Sequence, residues 1–173
     1  MTDLVINKIS NKMMKKIAKN KDYNGAVVLG LNDALVELSG ALVGLSFALA
    51  QSKVIATVGL ITGFAAALSM AASEYLSAKE DNRKNPIKAS AYTGMAYILA
   101  VIVLVIPYFI LSNTYYATAT MFALVVLIIA GFTKYDSKLH NERFGSKFIE
   151  MLSITIAVSV ISFLFGMLVK KLV

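Results

Sequence analysis

Apolar residues fall in long blocks along this chain, not in alternation. The blocks lie at about residues 26–49, 54–77, 90–111, 115–133 and 149–169, with most lysines, arginines and acids gathered between them. Each reaches the roughly 20 residues a helix needs to cross a hydrocarbon core about 30 Å thick. The pattern predicts five transmembrane helices and an all-α membrane protein. Ahead of the first block the rhythm changes: over residues 1–21, Ile6, Ile9, Met13 and Ile17 share one helical face, with lysines around the rest. That spacing predicts an amphipathic helix lying in the membrane interface. Residues 22–173 follow as one five-span domain, since the intervals between blocks leave no room for a separate soluble unit.

Composition agrees with this reading. Hydrophobic residues make up 58% of the chain, mean hydropathy is +0.71, and 16% of residues are charged, against roughly 25% in an ordinary soluble domain. The first 21 residues carry six lysines and no continuous apolar core, so no cleavable signal is expected and the first span does the targeting. Cysteine is absent, which excludes disulfides and thiolate metal sites.

A net charge of +7 could suggest nucleic acid, but its placement points elsewhere. Six basic residues precede span 1, four lie between spans 2 and 3, and four between spans 4 and 5; the opposite side receives Lys53, Lys170 and Lys171. This positive-inside bias predicts a cytosolic N-terminus and, after five crossings, an external C-terminus. The expected partner is the bilayer, not nucleic acid, and the chain is an integral multi-pass protein of a cell membrane or a vacuolar-type membrane. Tyr108, Phe109, Tyr115 and Tyr116 are expected at the outer headgroups, and Tyr23, Tyr75, Tyr92 and Tyr135 at the inner ones. Pro107 is expected to end span 3, and Pro86 to break the loop before it.

Against this background the stretch "NDALVELSGALVG" (32–44) is anomalous, because Asp33 and Glu37 fall inside span 1. A carboxylate at the centre of a membrane helix costs about 2.5–3.5 kcal/mol on insertion scales. A cationic partner, a metal, water or a proton must offset it, and no span contains Lys or Arg in its interior. At about 100° per residue, Asp33, Glu37, Gly40 and Gly44 share a face, with a GxxxG pair that permits close helix approach. Span 2, "GLITGFAAALSMAASEYLS", groups Gly59, Gly63, Ala66, Met70 and Glu74 in the same way. If spans 1 and 2 form a regular antiparallel hairpin about Gln51 and Ser52, Asp33 comes level with Met70, Gly40 with Gly63 and Gly44 with Gly59. Glu74, Asp33, Met70 and Glu37 would then form a ladder of oxygen and thioether ligands running from the cytosol inward. Carboxylates alone suit Mg or Ca, and a thioether adds preference for softer ions such as Fe(II). Desolvated acids would also exchange protons for the metal.

These two stretches, "NDALVELSGALVG" and "GFAAALSMAASEYLS" (63–77), resemble the vacuolar iron transporter family, including its nodulin-like members. The resemblance implies a homodimer of five-span protomers that moves Fe(II), and often Mn(II), out of the cytosol in exchange for protons. It implies a path at the dimer interface lined by the first two spans, with Asp33 and Met70 as transport-site residues and Glu37 and Glu74 beside them. The metal would be transported substrate, with no prosthetic group. Many members carry a long metal-gathering insertion between spans 2 and 3; here that interval is "AKEDNRKNPIKA". Capture would then rest on the membrane path and on Glu74, Glu80 and Asp81.

Two other classes compete. A non-transporting scaffold could hold its acids in protonated hydrogen bonds between helices. An intramembrane hydrolase would need catalytic acids at one depth or a Ser/His pair, yet Asp33 and Glu37 are a turn apart and the single histidine, His140, lies in a loop.

Overall fold

The computed structural model describes residues 23–49 and 51–172, the side chains of Leu139 and His140 excepted. The interfacial helix expected over 1–21 lies outside the described residues. Five helices are long and apolar enough to cross a membrane: α1 (Tyr23–Ala48), α2 (Ser52–Glu80), α3 (Pro86–Ile110), α4 (Thr114–His140) and α5 (Phe144–Leu172). Short turns join them, so successive helices run in opposite directions and their lysine-rich ends gather on one side. Pro86 opens α3 in its first turn, where its missing N–H would have had no partner. Pro107 does not end that helix. It sits inside the last turn, and α3 closes after Ile110 as the Leu111 N–H donates to the Pro107 carbonyl, a bond that needs no N–H from the proline.

The small residues of spans 1 and 2 do not pair with one another as the register predicts. α1 packs along α5, and α2 along α3. A methyl group on Gly166 would stand 2.3 Å from the Gly44 carbonyl oxygen, and one on Gly40 would stand 2.8 Å from Val158. Gly63 faces Val101 of α3, while Gly59 lies between Leu42 of α1 and Val105 of α3. Small residues allow close approach by any neighbour, so the glycine pattern marks contact faces without naming the partner. The depth relation does hold in part, since Gly59 and Leu42 meet close to the expected level.

Two polar clusters tie the bundle together. At the end away from the lysine-rich one, the Tyr108 hydroxyl lies 3.0 Å from Ser46 and donates to Thr118 at 3.1 Å, and Thr118 lies 2.9 Å from Ser46. This triangle joins α1, α3 and α4. It also corrects the expectation for Tyr108, which is fully buried and not part of an interfacial belt; Tyr115 and Tyr116 are exposed as expected. At the lysine-rich end Thr93 donates to the Ala26 carbonyl at 2.9 Å and Ser90 to the Ala71 carbonyl at 2.6 Å. Ala26, Ala78 and Ala89 of three different helices pack there as a small apolar layer.

Candidate functional site

The acids of α1 sit on a distortion. Immediately after Asp33 the helix widens into a π turn, Ala34–Leu38, before α-helical winding resumes at Ser39. A π turn forms i→i+5 bonds, carries an extra residue and is found often at functional sites. The side chain of Ser39, fully buried, donates to the Leu35 carbonyl and reaches the Val36 carbonyl at 3.5 Å. That hydroxyl occupies carbonyl groups whose usual helical geometry the widening disturbs. The effect is to shift the register between the acids and the glycines that follow. Gly40 and Gly44 are buried against α5, while Asp33 is half-buried and Glu37 is exposed on the protomer. The expectation that all four share one packed face is corrected accordingly.

Asp33 and Glu37 lie one helical turn apart, close enough for their carboxyls to interact. Glu37 also accepts a hydrogen bond of 3.2 Å from the Tyr97 hydroxyl. Tyr97, on α3, is completely buried, so its ring is fixed and its hydroxyl is a pre-set donor. α3 comes close enough because Gly30, one turn before Asp33, lies against the Thr93 backbone; a methyl group there would stand 2.2 Å from the Thr93 carbonyl oxygen. Two acceptor oxygens on successive residues, Asn32 Oδ1 and Asp33 Oδ2, are buried without a hydrogen-bond donor. Buried acceptors without donors carry a desolvation cost, and a cation or a proton is what removes it.

Met70 is half-buried on α2 and packs against the core to which Ala34, Leu35 and Tyr97 belong. Its soft sulfur thus belongs to the same core as the helix turn that carries the acids. Glu74 has a different setting. It is 5% exposed, and Arg83, folding back from the loop after α2, donates to its Oε1 at 2.8 Å. The same guanidinium reaches Asp81 at 3.3 Å and the Ser77 hydroxyl at 3.3 Å. Sequence reasoning sought a partner from solution because no span carries a cation in its interior. For Glu74 the partner comes from the chain itself, since a residue past the helix end can reach back along an arginine's long stem.

Among the described residues, no group of three or more His, Asp or Glu side chains is close enough to cage a metal. What one protomer offers is an open, partial set: two carboxylates and one fixed hydroxyl, with a thioether on α2 packed against the same core. Such a set suits a passing ion better than a resident one. Tyr97 and Arg83 are the residues the sequence did not single out for these contacts; Asn32, expected as a hydrogen-bonding neighbour of the acids, has no hydrogen-bond partner at its Oδ1.

No curated protein matches the chain. The model of the VIT family matches residues 24–83, from the first turn of α1 through α2 to Arg83, the stretch that holds Asp33, Glu37, Met70 and Glu74. Over that hairpin, with its intramembrane acids set in a five-helix membrane bundle, the chain is similar to the VIT family.

Proposed function

We propose that this protein exports Fe(II), Mn(II) or both from the cytosol in exchange for protons, working as a homodimer. The observation that carries the proposal is the cluster at the π turn: Asp33 and Glu37 side by side, with Asp33 Oδ2 and Asn32 Oδ1 lacking donors. Neighbouring carboxyls in a dehydrated setting need a cation or a proton between them. A metal that enters displaces the proton, and a proton that returns displaces the metal, so exchange follows from one shared set of oxygens. Tyr97 holds Glu37 in place. Met70 biases the set toward ions that tolerate a thioether. The exposure of Glu37 on the isolated protomer supports the dimer, because an acid at that depth is otherwise turned toward lipid.

The test is metal uptake into proteoliposomes with a pH-sensitive dye inside. The wild type is expected to move Fe(II) or Mn(II) inward and protons outward, and Asp33→Asn and Met70→Leu to lose both fluxes together. Transport that survives both substitutions would remove this mechanism. A wild type that moves neither metal nor proton would return the scaffold reading.

A further inference from the structure

We infer that the groove between the lysine-rich end of α4 and the α4–α5 turn binds the headgroup of an anionic phospholipid. The groove has a volume of about 780 Å³. Lys134 and Lys138 stand one helical turn apart on its α4 wall, and Asn141 lines it at the turn. Neither lysine forms an ion pair among the described residues. Asp136 and Glu142, the latter on the groove wall, both bind Lys147. Two acids share that one lysine, so they offset part of the charge of Lys134 and Lys138, and the five side chains together keep a net positive charge.

Ser137, between the two lysines in sequence, is 6% exposed, and its hydroxyl has no partner. Its carbonyl already accepts the N–H groups of Asn141 and Glu142. The free hydroxyl is thus a buried donor on the groove wall, and a phosphate oxygen is an acceptor that would use it.

The deep end of the groove decides between a lipid and a soluble anion. Ala130 and Gly131 line it, while Phe144 stands at the turn, and a methyl group placed on Gly131 would meet nothing within 4 Å. Ala130 lies eight residues from Lys138, about 12 Å along the helix at ~1.5 Å per residue. The groove therefore runs from headgroup level into the hydrocarbon, cationic at one end and apolar at the other. A phospholipid has that polarity and a free phosphate does not. Basic pockets between membrane helices hold acidic headgroups by the same charge complementarity. The inference does not depend on what the protein transports.

The test is native mass spectrometry of the full chain in neutral detergent, titrated with phosphatidylglycerol, phosphatidylcholine or inorganic phosphate. Phosphatidylglycerol is expected to bind and phosphatidylcholine not to. Replacing both lysines (Lys134→Gln with Lys138→Gln) should weaken phosphatidylglycerol roughly 30-fold, at about fivefold for each lysine. The paired Lys134→Arg and Lys138→Arg variant should retain binding, which separates lost charge from lost fold. Lys84→Gln with Lys88→Gln should leave it unchanged. Undiminished binding by the glutamine pair would overturn the assignment, as would equal loss in the arginine pair or in the Lys84/Lys88 pair. Displacement of the lipid by equimolar inorganic phosphate would overturn the choice of a lipid.

Discussion

Tyr97 meets Glu37 across 60 positions of chain, and that separation explains why the contact is hidden in the sequence. An acid within an apolar run announces itself by its cost; a tyrosine there is affordable, so nothing marks this one out from the other seven. Its contribution can be measured. A hydrogen bond to a charged group is worth about 1.5–3 kcal/mol, so Tyr97→Phe is expected to slow metal uptake by proteoliposomes about 10- to 100-fold while the protein stays folded. Unchanged uptake would show that Glu37 does not rely on this donor. Arg83 gives a second test. Removing one partner of a buried pair strands the other at about 3–5 kcal/mol, and the partial exposure of Arg83 places Arg83→Gln below that range. Thermal melts in detergent should show Arg83→Gln clearly destabilised, and Glu74→Gln with Arg83→Gln less so than the single change. Additive losses would mean that the two side chains are not coupled.

At the scale of the helix, length and hydropathy were legible and the local winding was not. The residues of the π turn, Ala34, Leu35, Val36, Glu37 and Leu38, are equally at home in an α-helix, and the feature beside the wider turn is a buried hydroxyl at Ser39 reaching back to the Leu35 and Val36 carbonyls. Ser39→Ala is expected to lower transport more than stability, read as a fall in uptake rate with little change in melting temperature. An equal fall in both would make the hydroxyl a packing feature. Helix pairing was half legible: glycines marked the faces that approach closely, but Gly40 and Gly44 meet α5, fifth in the chain, because helix neighbours are fixed by the whole bundle. The contact at Gly166 is backbone to backbone, so an added methyl cannot be absorbed by a rotamer change. Gly166→Ala should destabilise by roughly 1–3 kcal/mol, seen as a lower melting temperature in detergent. Tolerance of alanine there would show that α1 and α5 are not so closely apposed.

For the molecule as a whole, the distribution of lysines sets an orientation that can be tested directly, because the chain contains no cysteine. Lys53→Cys is expected to react with a membrane-impermeant maleimide applied to intact cells or organelles from the side opposite the cytosol, and Lys84→Cys to react only from the cytosolic side. The reverse pattern would invert the proposed direction of transport.

The pairing of α1 with α5 and of α2 with α3 puts Asp33 and Met70 on separate arms. Glycine contacts stiffen each arm internally, whereas the sulfur-to-oxygen spacing depends on how one arm leans against the other. On the proposed function, a small tilt would loosen or tighten the grip on an ion without disturbing the packing inside either arm, and the seam that must give is the one where Gly30 meets Thr93.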